Sequence, residues 1–300
     1  MKIRISSIFL WAAVILFIGC SDGNDSAPGP DTGRMTIKMT DAPFPHNLVA
    51  EANVTVFKIE ARHTDKKSGP EKEGEMGDKN GSPFIVLMEQ EIDVNLLDLT
   101  NGITETLVDT EVPVGTYDLV RVYVKGINVV LVDGTTYDLK VPSGEQSGIK
   151  IFIKPGITVA GNLSADLLLD FDVSRSFVAK GNIKDPAGIT GFNFKPVIKA
   201  SNLSTAGSLS GVVTMLQEAT AIGLEGAQVS VFAADTLNTA TFTDATGSYM
   251  VMGLLAGTYD VTVDLEGYGT QTVEGVKVNT ANQTITDFEL VPIAGAEVGD

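Results

Sequence analysis

From Met35 onward the chain alternates apolar and polar residues with a period of two. Met35, Ile37 and Met39 are separated by Thr36 and Lys38, Val120, Val122 and Val124 by Arg121 and Tyr123, and Ile149, Ile151 and Ile153 by Lys150 and Phe152. Successive side chains on a strand point to opposite faces, so each run predicts a half-buried antiparallel strand. No stretch beyond residue 20 sustains a 3.6-residue period. The expected fold class is all-β, with two sandwich-like domains in tandem. Asp133-Gly134, between Val129–Val132 and Thr135–Leu139, suits a two-residue type I′ hairpin, and Asp244–Gly247 suits a second tight hairpin turn.

Breaks in the alternation divide the chain. Residues 64–82 are rich in charge and glycine and read as a long solvated loop. Around Ser201–Gly207 the composition turns small and polar, which separates a β-rich domain over 34–202 from a second over 208–293. Residues 294–300 read as an acidic tail. A short echo links the halves: Val114-Gly115-Thr116-Tyr117-Asp118-Leu119 parallels Ala256-Gly257-Thr258-Tyr259-Asp260-Val261. A glycine turn that launches a strand through a tyrosine is a common sandwich corner, with the ring packed and its hydroxyl on backbone.

The first 33 residues follow another pattern. Lys2 and Arg4 precede an unbroken apolar run, Ile8–Ile18, which is followed by Gly19 and Cys20. Basic start, short apolar segment and small residue together read as a secretory signal peptide over 1–19. The apolar run is about half the roughly 20 residues needed to span a bilayer. Residues 20–33, made of Gly, Pro, Ser and Asp with no apolar period, read as a flexible tether. Phe17-Ile18-Gly19-Cys20 resembles the lipobox of bacterial lipoproteins, which implies acylation of Cys20 and an outer-membrane lipid anchor on the cell-surface or periplasmic side. Asp22 and Asp25 resemble the export signal of Bacteroidetes surface lipoproteins. Phe17 stands where that lipobox usually has leucine.

Two further resemblances cover the rest. Ser210-Gly211-Val212-Val213, Leu224–Val229, Thr243–Tyr249, Leu254–Tyr259 and Leu265–Tyr268 occur in the order of a carboxypeptidase regulatory-like, transthyretin-like sandwich, which also resembles carbohydrate-binding folds. Such a domain accompanies a peptidase and is not itself one. Thr40–Pro43, Leu96–Gly102, Pro113–Tyr117, Leu139–Gly144, Leu169–Asp172 and Lys195–Ile198 resemble the lipoprotein domain catalogued as domain of unknown function 4382. That resemblance implies no activity.

Candidate chemistry is sparse. Cys20 is the only cysteine, so no internal disulfide forms, and the histidines are His46 and His63. Neither a zinc-ligand pattern nor a nucleophile elbow is present; in Gly144–Gly148 the serine falls one place late. Asp170 and Asp172, two apart on a predicted strand, would share a face and with Asp41 could supply hard oxygen ligands to calcium; a plain solvated acidic face is the alternative. Tyr268, between Gly267 and Gly269, is the candidate for an exposed ligand-binding ring, with a corner-filling role the alternative. Ser26 and Thr236 follow aspartate as in the short O-glycosylation acceptor of Bacteroidetes exported proteins.

The formal charge of −17 becomes two units more negative once Lys2 and Arg4 leave. An acidic balance of this size repels nucleic acid and anionic membrane surfaces. The resulting expectation is a non-catalytic envelope lipoprotein without a cofactor, calcium aside. It would bind or scaffold a glycan or an envelope protein; a carbohydrate-binding surface protein and an adhesin or stalk component are the alternatives.

Overall fold

The computed structural model describes residues 31–42, 48–64, 83–141 and 146–293. Cys20, Ser26, His46 and most of the 64–82 loop lie outside them. The first unit runs β1 (Thr32–Ala42), β2 (Val49–His63), β3 (Phe84–Met88), β4 (Ile92–Asn95), β5 (Glu105–Pro113), β6 (Gly115–Leu131), β7 (Thr136–Asp138), β8 (Ile149–Val159), β9 (Ser164–Asp172), β10 (Phe177–Gly181), β11 (Ile189–Phe194) and β12 (Ile198–Asn202). The second runs β13 (Ala206–Gln217), β14 (Thr220–Gly223), β15 (Gln228–Ala233), β16 (Thr236–Phe242), β17 (Ser248–Leu255), β18 (Gly257–Asp264), β19 (Gln271–Val278), β20 (Gln283–Ile285) and β21 (Phe288–Glu289). The one α-helical turn described, α1 (Val173–Ser176), follows β9. The fold is all-β.

In the first unit a sheet of order β12-β9-β1-β5 faces a sheet built on the long β2–β6 pair, with β3, β4, β7 and β8 attached to it. The predicted alternation fills the space between them. Met35, Ile37 and Met39 of β1, Leu167, Leu169 and Phe171 of β9, Val120, Val122 and Val124 of β6, and Ile151 and Ile153 of β8 belong to one buried cluster. Each such side chain contributes roughly 1.5–3 kcal/mol by leaving water. The pairing departs from the antiparallel expectation where β1, antiparallel to β5, runs parallel to β9 in register from Arg34↔Ser164 to Ala42↔Asp172, and again in the second unit, where β13 runs parallel to β20 and β21.

The second unit is a smaller sandwich. A sheet of order β14-β13-β17, with β20 and β21 on the far side of β13, faces a sheet of order β16-β15-β18-β19. Leu209, Val213, Val229, Val231, Tyr249, Val261, Val263 and Phe288 form its core. The tyrosine echo is a repeated corner. Tyr117 Oη donates to the Pro113 carbonyl and Tyr259 Oη to the Leu255 carbonyl, each at 2.8 Å and four residues back.

Two turns differ from expectation. The Leu131 N–H reaches the Thr135 carbonyl and the Gly134 N–H the Leu131 carbonyl, with Gly134 at φ +86°. Asp133 is not left-handed, so this is a three-residue loop closed by a glycine bulge and not a type I′ turn. Asp244–Gly247 does form a tight turn, with the Gly247 N–H on the Asp244 carbonyl at 2.8 Å. It carries the chain from β16 in one sheet to β17 in the other, so it is a crossing between sheets and not a hairpin.

The outer face of the β12-β9-β1-β5 sheet is covered as well. Leu168 is fully buried but belongs to neither sandwich core. It lies against Gly253 of β17, where an added Cβ would stand 3.1 Å from both Leu168 Cδ2 and Ser201 Cβ. Ser201 Oγ donates to the Gly253 carbonyl at 2.8 Å, and Thr241 Oγ1 donates to Asn101 Oδ1 at 3.3 Å. Gly102 meets Met250 so closely that a Cβ there would collide with the sulfur. The two units therefore share a packed seam.

Candidate functional site at the seam between the units

Leu168 and Asp170 of β9 face this seam. Asp170 pairs with Lys199 across β9 and β12. Burial pushes the Asp170 carboxyl up to about 6, with Lys199 opposing and Asp172 adding to the rise. Burial likewise lowers the Lys199 ammonium from its ordinary value, opposed mainly by Asp170. The expectation of a solvated acidic face is thus corrected: a second folded unit covers it. Lys199 Nζ points across and donates to Asn238 Oδ1 of β16 at 3.4 Å.

The three carboxylates predicted to hold calcium do not close around an ion. Asp172 caps α1: its Oδ1 accepts from the Arg175 N–H at 2.9 Å and from Ser174 Oγ at 2.7 Å, and its Oδ2 pairs with Arg175 Nε at 2.6 Å. Asp41 Oδ1 accepts from the Val173 N–H at 3.1 Å, so it braces the same turn. Asp41 and Asp170 do meet at a cavity of about 20 Å³ beside Thr239, Thr241 and Met250. That space has room for about one water, whereas calcium takes six to eight oxygens. Among the described residues no group of three His, Cys, Asp or Glu side chains is placed to hold a metal ion.

A wider cleft of about 510 Å³ opens where the Leu99–Ile103 loop of the first unit meets the β20–β13–β17 sheet of the second. Met250 and Ile285 both pair with Ser210, one from each side, which places the three in one row. Ile285 is 70% exposed. Asn101, Asp244 and Asp287 also line it. Both carboxylates are held by backbone: Asp244 Oδ1 accepts from the Thr246 and Ser248 N–H groups at 2.8 and 3.1 Å, and Asp287 Oδ1 from the Val212 N–H at 2.9 Å. The Thr246 hydroxyl, with those N–H groups, keeps Asp244 below the usual carboxylate range. Tyr249 donates its hydroxyl to the Thr286 carbonyl, and burial raises its pKa. The cleft therefore presents fixed acceptors beside two apolar side chains, Met250 and Ile285.

The other predicted site residues stand elsewhere. Tyr268 is only 8% exposed, and its hydroxyl lies 3.1 Å from Met215 Sδ. It packs in the second core and offers no exposed ring; its backbone forms an isolated bridge with Pro292 in the turn between β18 and β19. Thr236 is exposed where β16 begins. His63 is buried edge-on to Tyr117, with Nε2 3.0 Å from the Val114 carbonyl. Sequence reasoning missed Lys199, Asn238 and the cleft. Leu168, an apolar residue among polar neighbours on the outer face of β9, was the one sign of a covered face.

Comparison with known proteins agrees with this division. A family model described as Domain of unknown function (DUF4382) matches residues 32–196, and one described as Carboxypeptidase regulatory-like domain matches residues 208–291. No curated protein matches. Among solved structures, a protein of Bacteroides uniformis described as carbohydrate binding is 23% identical, over 28% of this chain and 41% of that one, with a TM-score of 0.25. A chain from a type II cohesin–X-dockerin complex of Acetivibrio cellulolyticus is 19% identical, over 31% of this chain and 65% of that one, also at 0.25. This chain thus spans less than two thirds of either. A minor pilin of Streptococcus agalactiae is 12% identical, over 89% of this chain and 99% of that one, again at 0.25.

Proposed function

Starting from a chain that belongs to the family described as Domain of unknown function (DUF4382) and carries a carboxypeptidase regulatory-like domain behind it, we propose a non-catalytic envelope lipoprotein that binds or scaffolds a partner. In this reading acylated Cys20 holds the chain in the outer membrane, residues 20–33 act as tether, and the paired sandwiches present the seam cleft. The observation that carries the binding role is the cleft itself. Sites of this kind occur preferentially at domain interfaces, where a few fixed polar groups sit beside apolar surface. Asp244 and Asp287, anchored by backbone N–H groups, with Ile285 exposed beside them, fit that description. The sugar-binding alternative loses its main support with the burial of Tyr268.

The test is position-specific photo-crosslinking in intact cells, with the reactive group placed at Ile285 or, as control, at exposed Val132. A discrete adduct at 285 and none at 132 supports the cleft as the binding surface. Equal trapping at both positions, or none at either, removes the binding role. The anchor is tested separately: Cys20→Ala should move the protein from the membrane to the soluble fraction, and membrane retention of that variant would count against the lipid anchor.

A further inference from the structure

Lys199 and Asn238 belong to different units, yet their side chains meet at the seam. The contact is long for a hydrogen bond, at 3.4 Å from Nζ to Oδ1. Lys199, Asn238 and Asp170 are all partly buried, and Asp170 stands opposite Lys199 in the strand pairing. Arg175 and Asp172 are the other charges acting on the pair, and they are committed to each other.

An amine and a primary carboxamide ignore each other in water for two reasons. The amine is protonated and so has no free electron pair, and nothing supplies a proton to the departing nitrogen. Both obstacles are reduced here. Burial favours the neutral forms of Lys199 and Asp170, so it lowers the cost of passing a proton from the ammonium to the carboxylate opposite it in the strand pairing. Holding the groups together also replaces a bimolecular encounter, for which effective molarities can reach about 10⁵ M or more.

We propose that Lys199 and Asn238 join in an isopeptide bond across the seam, with Asp170 as the proton carrier. Lys199 Nζ attacks Asn238 Cγ, forming the Nζ–Cγ bond. The Asp170 carboxyl protonates Nδ2, the Cγ–Nδ2 bond breaks, and one ammonia leaves. Nζ gives its surplus proton back to the Asp170 carboxylate. No oxidant, reductant or metal takes part. The product ties β12 to β16 and makes the seam permanent.

The direct experiment is the intact mass of the mature protein followed by peptide mapping. A protein lighter by one ammonia, with a branched peptide joining the Lys199 and Asn238 segments, is the expected result. Lys199→Met and Asn238→Ala should each restore the full mass. Asp170→Ala should restore it too, in a variant shown to be folded by its circular dichroism. Full mass in the unsubstituted protein overturns the proposal without reference to any variant. A deficit that survives Lys199→Met overturns it as well, since an internal succinimide at asparagine also expels ammonia. Loss of one water would make Asp170 the acyl partner and overturn the assignment to Asn238. A deficit that persists in Asp170→Ala overturns the role given to Asp170.

Discussion

The two faces of the β12-β9-β1-β5 sheet are made by the same strands and are both covered, yet they are chemically unlike. On the inner face Met35, Ile37, Leu167, Leu169 and Phe171 meet the second sheet of their own unit. On the outer face Lys38, Thr40, Leu168, Asp170 and Lys199 turn toward the second unit, and only Leu168 among them is apolar. A core between sheets of one domain has few partners for polar groups, so it excludes them. A seam between two domains keeps polar groups if each finds a partner across it, as Ser201 finds the Gly253 carbonyl and Lys199 finds Asn238.

The sharpest way to break this contrast is to cut equivalent volume from each face. Leu169→Ala should cost about 3–5 kcal/mol by opening a cavity in the inner core. Leu168→Ala should cost about 2 kcal/mol, because the two units can close up around the smaller side chain. Denaturant unfolding followed by circular dichroism measures both. An equal loss for the two would mean that the seam is as rigid as the core, and the distinction would fail.

A smaller effect concerns charge at the seam. The Asp170 carboxyl titrates near 6 in the folded chain against an ordinary 3.8. Between those values the folded state binds more protons than the unfolded one, so this group makes stability fall as pH rises from about 4 to 6. The shift corresponds to at most about 3 kcal/mol. The clean background is Lys199→Met, in which no bond to Asn238 can form. Removing the nearest cation should raise the carboxyl further and steepen the fall, and adding Asp170→Asn should flatten it. Unfolding midpoints from pH 4 to 7 that move identically in the single and double variants would show that Asp170 is solvated after all.

Much of this architecture was legible because alternation reports a side chain's direction. Met35, Ile37, Met39, Val120, Val122 and Val124 all point inward as their spacing indicates. Alternation says nothing about what covers the opposite face, so Asp170 read as solvated. Nor does it encode strand order, and the parallel β1–β9 pairing was invisible. The Asp133-Gly134 pair signalled a turn correctly but not its length, since glycine suits both a type I′ turn and a bulge. The calcium set failed for a local reason: Asp172 sits one residue before a helical turn, where an aspartate side chain takes backbone N–H groups. The cleft escaped notice because its lining comes from segments more than a hundred residues apart, Asn101 and Ile285 among them.

The smallest predicted effect bears on whether the two units are alike. Tyr117 and Tyr259 occupy the same motif, and each hydroxyl bonds a carbonyl four residues back at the same distance. Removing that hydroxyl with phenylalanine deletes one hydrogen bond, worth about 1 kcal/mol. The surroundings differ: Tyr117 is fully buried with His63 edge-on at 5.0 Å, while Tyr259 keeps some exposure. Water can reach the Leu255 carbonyl, since Leu255 is exposed, but serves the more enclosed corner poorly. Tyr117→Phe should therefore cost more than Tyr259→Phe, by a few tenths of a kcal/mol. Thermal unfolding of the paired variants would show the order, and a reversed order would mean that the repeated corner is similar in geometry but not in energetic role.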